Sequence, residues 1–427
     1  MCCVMRGSNP LEAGVGGLYR EARPGWQIFL EAALVAAFAF LMAFVAWSRA
    51  GGPITGGDTG RYLELSKLLA AGSLSGFEQW PMVQFYPFLL TPIYIFDIAQ
   101  AVYLKWLHIG LHAVTVWLVY FSTRGLLPSG RGIYSALAVA VFPTFLFWLP
   151  YTLTETAFLF TLSLYLFQLS RFLARPGKIG AVLLALSGAI MLFTRPTSIA
   201  VLAATPLVYL LYMASRSFGL GRALALSAGL GLVCGLLGVW IVFFADNSFS
   251  RRAQVNPTIA HSLWVGTKVK STSMAELNRM TDEYWGLYKK FGEDKAGLRH
   301  HQISEAKSFI RARPLRYASM AGTRFISYWF PWAFNETWSW RHSLVDAAVS
   351  LALVSGFLLA LFLSGGQRLP ASAMMLLALA LSMFSAFGQV DADARYRVPA
   401  ALVLLLVAPE GWRLAIGRIF GSRRRIA

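Results

Sequence analysis

The sequence predicts an all-α, polytopic membrane protein, and three observations predict it. Hydrophobic residues make up 57% of the 427 residues and charged ones 14%, with a mean hydropathy of +0.56; a soluble domain has no interior large enough for that balance. The apolar residues gather in runs of about 17–25, long enough for a helix to cross hydrocarbon. Arginine and lysine collect in alternate connections between those runs, as short cytoplasmic loops require. The same rule absorbs the net charge of +18. In a chain this apolar, basic side chains serve as topology signals and contacts to lipid phosphate, not as a nucleic-acid footprint.

Residues 1–25 form a tail with Arg6, Arg20 and Arg23, expected in the cytoplasm. Residues 26–47 are the first crossing, and because this run is long enough to span, no cleavable signal peptide is expected. The chain then emerges outside into Gly51, Gly52, Pro53, Gly56 and Gly57, which release it from helical geometry ahead of Asp58. Tyr62, Leu65, Leu68 and Leu69 recur at helical spacing with Arg61, Glu64 and Lys67 opposite. That is the pattern of a short helix lying along the interface, with Thr59 placed as a partial N-cap. In "WPMVQFYPFLLTPIYIFD", Pro81, Pro87 and Pro92 break up an aromatic segment, which is expected to re-enter or lie on the surface.

Further crossings are expected at 99–121, 133–149, 156–172, 179–193, 198–214 and 224–244. The loops this places inside hold Arg124 and Arg131, then Arg171, Arg175 and Lys178, then Arg216 and Arg222, with no acid between them. From 245 to 343 the chain is polar and mixed in charge; 304–332 reads as helical on either side of Pro314, returning toward the membrane. Runs at 344–363, 371–387 and 398–407 complete about ten crossings, the last one short, with Arg368 and the arginines from Arg413 to Arg425 inside. The chain thus divides into a cytoplasmic tail (1–25), a transmembrane core (26–244) with its first outer loop at 48–98, an extracytoplasmic loop region (245–343), and C-terminal transmembrane helices ending in a basic cytoplasmic tail (344–427).

Ionisable residues at the outer ends of spans are the ones positioned for chemistry, because charge at that depth is costly unless solvated, paired or used. Asp58 heads them, followed by Glu155 in "LPYTLTETAF" and Asp391 and Asp393 in "GQVDADARYRVP". The cations at comparable depth are Arg195, in "LFTRPTS", with Arg395 and Arg397. A carboxylate base with guanidinium forks suits a reaction between a hydroxyl and a phosphate-bearing lipid. Structural roles are open for each residue as well. Asp58 is placed to cap the interfacial helix, Glu155 to meet a helix dipole and Arg195 to reach headgroups, while Asp391, Asp393, Arg395 and Arg397 are able to pair among themselves. No metal-ligand set is expected: Cys2 and Cys3 lie in the tail, Cys234 lies in an apolar run, and His261, His300 and His301 lack ligand spacing to an acid. Walker and dinucleotide-binding fingerprints are absent from the sequence.

Six pieces in order carry a resemblance over residues 26–412: "GGDTGRYLELSKLLAAGSL", "FYPFLLTPIYIF", "LTETAFLFTLSLYLF", "LFTRPTSIAVL", "EAKSFIRARPLRYASMAGTRF" and "DARYRVPAALVLLLVAPEGW". Together they resemble the GT-C superfamily of polytopic glycosyltransferases, in particular the bacterial branch related to protein O-mannosyltransferases and the aminoarabinose transferase of lipid A. The resemblance implies a GT-C-like bundle with its active site in the extracytoplasmic first loop. It implies an inverting transferase that moves a hexosyl or pentosyl unit from a polyprenyl-phosphate donor to an envelope glycan, lipid or protein acceptor. Asp58 would be the catalytic base, Glu155 an assisting acid, and Arg395, with Arg195 and Arg397, the group that holds the departing lipid phosphate. No cofactor is implied, with room left for a divalent metal. The implied setting is a bacterial plasma membrane with both termini in the cytoplasm. Thr59 stands where protein mannosyltransferases place a second acid, which counts against a protein acceptor. The alternative built on the same acids and arginines is a transporter or flippase for a lipid-linked saccharide.

Overall fold

The computed structural model describes residues 24–56, 58–73, 84–127, 131–195, 197–214, 257–268, 274–292, 294–329, 340–363, 368–388 and 394–422. Among them the regular structure is helical, apart from one parallel bridge between Ile54 and Tyr151. The first apolar run is α1 (Gly25–Ala50). Gly51 closes it at φ 74°, in the left-handed region, and gives its N–H to the Ser48 carbonyl. The amphipathic stretch after Asp58 is α2 (Thr59–Ala70), with Tyr62, Leu65 and Ser66 on its buried side. The proline-rich segment yields α3 (Phe85–Leu90) and α4 (Pro92–Ile95), which pack against α2. At 1.5 Å per residue the two together reach only about 17 Å, too short to cross.

Behind them run α5 (Gln100–Leu126) and α8 (Glu155–Ala174), which with α1 are the three described helices long and apolar enough to cross a membrane. α5 is central, packed on both α1 and α8. The expected crossing at 133–149 is broken into α6 (Ile133–Ala140) and α7 (Pro143–Trp148). Pro143 supplies no N–H and pushes Phe142 to an extended ψ of 117°, so the helix stops and restarts. Two shorter apolar helices follow, α9 (Lys178–Thr194) and α10 (Ser198–Ala214). The expected crossing at 224–244 lies outside the described residues.

A polar group comes next: α11 (Pro257–Lys268), α12 (Met274–Phe291), α13 (Lys295–Ala312) and α14 (Pro314–Trp329), with Pro314 separating the last two as anticipated. Trp264, Val265 and Met280 form its own small core. Lys268 Nζ ties the group together by bonding Glu283 at 2.9 Å and Glu305 at 2.6 Å. The chain closes with α15 (Trp340–Leu363), α16 (Arg368–Gly388), α17 (Ala394–Leu405) and α18 (Ala408–Ser422). At the last crossing, expected to be short and to end at 407, α17 and α18 bend by 44° at a two-residue break and together are long and apolar enough for a broken span or a re-entrant loop. α18 lies along α15, where the Trp412 indole donates to the Ala352 carbonyl at 2.9 Å and Gly411 meets Gly356 so closely that a Cβ would overlap its carbonyl oxygen.

Helices in hydrocarbon associate by close packing and satisfied polar groups, since lipid tails are as apolar as leucine. Buried hydroxyls here bond back to their own helix, as in Thr115 to Leu111, Ser122 to Leu118 and Ser163 to Leu159. The main core joins α1, α5, α6, α8, α9 and α10 to α15, α16 and α17. A second core, built from Ala43, Trp47, Tyr62, Tyr86, Leu90, Leu104, Leu149, Leu153 and Ala157, holds the loop that carries Asp58.

Candidate functional site

Two loops, roughly a hundred residues apart, are stitched at one end of the bundle. Ile54 N–H donates to Pro150 at 2.9 Å, and Thr152 N–H donates back to Ile54 at 3.1 Å. The Thr59 hydroxyl, buried, reaches the Thr152 carbonyl at 3.0 Å and the Gly56 carbonyl at 2.9 Å. Gly56 returns an N–H to Thr59 Oγ1. The glycine-rich turn is thereby pinned to the start of α8 and Asp58 is fixed beside it.

Asp58 occupies the N-cap position of α2 but makes no side-chain cap hydrogen bond. Its Oδ1 accepts from Arg61 Nη1 at 3.0 Å, with both side chains about half exposed. Thr59 likewise does not serve as the partial cap expected of it; its hydroxyl is spent on the stitch. One turn further, Tyr62 is buried and meets Tyr86 edge to face, with centroids 5.6 Å apart. Burial, then the Asp58 and Glu155 charges, hold the Tyr62 phenol well above its ordinary range, against the opposing effect of Arg195 and a hydrogen bond with Thr154. Tyr62 therefore stays protonated and lies within electrostatic reach of Asp58, Glu155 and Arg195 together.

Glu155 opens α8, and Arg195 follows α9. Because Pro196 succeeds it, Arg195 is extended, at φ −159° and ψ 132°, which ends the helix at Thr194. Arg195 Nη1 lies 3.2 Å from Glu155 Oε1, the side chains being 8% and 4% exposed. Arg195 thus does not reach out to headgroups. Nearby in sequence, the second Glu155 oxygen and the Thr152 and Thr197 hydroxyls are buried with no hydrogen-bond partner among the described residues, each at a cost of about 1–3 kcal/mol where none is supplied.

Support comes from behind. Tyr86 and His108 are fully buried and bonded at 2.9 Å, and His108 Nδ1 faces the Leu149 carbonyl at 2.8 Å. A carbonyl only accepts, so Nδ1 carries the proton and Nε2 accepts from the Tyr86 hydroxyl. This relay locks α3 and α5 to the loop before α8.

Arg397 Nη1 donates to the Ser350 hydroxyl at 2.8 Å and the Trp329 carbonyl at 3.2 Å, buried among α14, α15 and α17. Arg395 falls in the first turn of α17, and its side chain lies outside the described residues, as do Asp391 and Asp393. Glu155 and Arg195 are therefore paired, with Asp58 on the turn stitched to the same loop, while Arg397 is held by Ser350 and Trp329. Among the described residues no cluster of three or more metal-ligating side chains occurs. The sequence pattern gives no site role to Arg61, Tyr62 or Thr152: the first two stand in it only as opposite faces of the interfacial helix. It also passes over Glu31 inside the first crossing, which accepts from the Tyr120 hydroxyl at 2.7 Å.

No family model matches the chain, and no curated protein matches it. Among solved structures it is similar to the archaeal oligosaccharyltransferase AglB from Archaeoglobus fulgidus, in complex with an inhibitory peptide and a dolichol-phosphate, with a TM-score of 0.52 at 13% identity. The chain shares the fold of an oligosaccharyltransferase. The match covers 92% of this chain and 51% of that one, so the chain spans about half the length of the protein it matches. At this identity the likeness is one of fold alone.

Proposed function

We propose that the protein is a lipid-dependent glycosyltransferase of about ten crossings. On this reading it works at the outer face of a bacterial plasma membrane, both termini are cytoplasmic, and the donor is a polyprenyl-phosphate-linked sugar. The observation that supports this reading is the stitch of Ile54 and Thr59 to the Pro150–Thr152 segment, which ties the turn carrying Asp58 to the loop before α8 and its buried Glu155–Arg195 pair. The fold shared with a transferase solved with a dolichol-phosphate supports it.

In the proposed reaction the acceptor oxygen attacks the anomeric carbon while the bond from that carbon to the phosphate oxygen breaks. The acceptor proton passes to Asp58, and the lipid phosphate leaves with the bonding electrons, inverting the anomeric centre. Asp58 suits the base because its carboxylate, though paired with Arg61, is about half exposed, whereas Glu155 is buried against Arg195. Glu155 assists by orienting Arg195. Arg195, Arg395 and Arg397 are the proposed contacts to the departing phosphate, where a guanidinium offers several donors in a fixed fork.

Asp58→Asn tests the assignment in purified protein supplied with a polyprenyl-phosphate sugar. Loss of a general base lowers the rate by about 10²–10⁴-fold, with folding and membrane insertion retained because the side chain is half exposed. Wild-type turnover in that variant would remove Asp58 from the mechanism.

A further inference from the structure

α5 carries two histidines one turn apart, His108 and His112, inside a helix apolar enough to cross a membrane, and both are fully enclosed. Polar side chains at such depth either serve the function or hold a backbone group that lipid cannot satisfy. Each imidazole here faces a carbonyl beside the break that Pro143 makes. His112 Nε2 lies 3.4 Å from the Ala140 carbonyl before α7, and His108 Nδ1 lies 2.8 Å from the Leu149 carbonyl after it. The two histidines thus hold both ends of α7 against α5.

The Leu149 end leads directly into the candidate site. The next carbonyl, that of Pro150, accepts from Ile54 N–H at 2.9 Å, four residues ahead of Asp58. On its other side, His108 Nε2 accepts from the Tyr86 hydroxyl at 2.9 Å, and the Tyr86 ring meets Tyr62 edge to face at 5.6 Å, four residues beyond Asp58. Trp47 closes over the imidazole, also edge to face at 5.6 Å. The contacts form a circuit that leaves the Asp58 turn through Tyr62 and returns to it through Pro150. His108 stands in the middle of that circuit, bonded at both ring nitrogens.

From this circuit we infer that His108 is a positioning residue of the transfer reaction: bonded to the Leu149 carbonyl and the Tyr86 hydroxyl, it sets where the Asp58 turn stands relative to the Pro150–Thr152 segment. It touches no reactant, being enclosed on all sides. The inference rests on the transferase reading and adds to it a residue of the third helix behind the site.

The test uses the full chain in detergent micelles with a polyprenyl-phosphate sugar. It reads turnover split into kcat and donor KM, and hydrogen exchange at the Ile54 and Thr152 amides that make the stitch. His108→Leu deletes both ring bonds. Its kcat falls about 10–100-fold, the effect of a misplacement of about 1 Å, while donor KM stays within about twofold. The Ile54 and Thr152 amides exchange about tenfold faster, and those of α13 exchange as in wild type. His108→Asn, whose amide nitrogen can stand in for Nδ1 on the Leu149 carbonyl, recovers part of kcat. Tyr86→Phe keeps the ring against Tyr62, deletes one hydroxyl and lowers kcat about threefold to tenfold; it decides the matter should His108→Leu not fold. Wild-type kcat and exchange in these variants overturn the inference and leave the transferase reading standing. Exchange that rises equally in α13 makes His108 a residue of the fold alone and also overturns it. If the wild-type protein itself transfers no sugar, the transferase reading falls and takes the inference with it.

Discussion

With Glu155 and Arg195 only 4% and 8% exposed, removing either leaves the other charged in surroundings that solvate it poorly, at about 3–5 kcal/mol. Glu155→Ala is therefore expected to lower the thermal midpoint sharply. Glu155→Leu combined with Arg195→Met removes both charges and recovers most of that loss, since a buried pair is often replaceable by packed apolar groups. If the pair only holds the fold, the double variant stays active; if it serves the donor, as proposed, the double variant is stable and inactive. Melting curves and turnover on the same preparations separate the two. Asp58, Glu155 and Arg195 were legible in the sequence because each stands beside a glycine or proline break at the end of an apolar run. Arg61 was not, because the helical-face pattern set it opposite Tyr62, whereas its i+3 position lets it fold back on Asp58. Thr59 was read as a local cap, and its partner Thr152 lies 93 residues away, a distance no local pattern reports.

Helices were legible where hydropathy alone decides, as in α1, α5 and α8, and misjudged where a single residue overrides it. Pro143 divides 133–149 although the composition of that run is uniformly apolar. α18 holds Arg413 and Arg418 of the expected basic tail in a helix, where Arg413 is bidentate on the buried Glu410 at 2.7 Å and that charge is neutralised. The α11–α13 unit makes a pH prediction at this scale. Burial raises the Glu305 carboxyl, but hydrogen bonds from Lys268 and Trp264 outweigh it and hold the carboxyl below its ordinary 4.5. Burial lowers Lys268, and the bonds to Glu305 and Glu283 outweigh it to hold the amine above 10.5. A depressed carboxyl stabilises above its unfolded value and loses that contribution as pH falls through the folded one. A raised amine stabilises below its unfolded value and loses it as pH rises. Resistance of this unit to limited proteolysis is thus expected to be level between pH 4.5 and 10.5 and to fall beyond either end. Glu305→Gln should flatten the acid limb. The effect is modest, since the side chains are 27% and 37% exposed and screened by solvent.

At the scale of the whole molecule, the site constrains the topology that hydropathy left as a count. The bridge between Ile54 and Tyr151 requires an even number of crossings between those residues. α5 is one. α3 and α4 together are too short to be the other and pack on α2, so the broken α6–α7 pair is the proposed return. The Glu155–Arg195 contact imposes the same parity on α8 and α9: the chain leaves the site, turns near Arg171, Arg175 and Lys178, and comes back. Thr55 and Arg175, both exposed, must then lie on opposite sides of the membrane whichever way the protein is inserted. By the positive-inside rule the three cations at the second turn are expected on the cytoplasmic side. With Cys2, Cys3 and Cys234 replaced by serine, Thr55→Cys should react with an impermeant maleimide in intact cells and Arg175→Cys only after permeabilisation. Labelling of both from the same side would mean that α6–α7 does not cross. The stitch that places Asp58 beside Glu155 could not then form across the membrane.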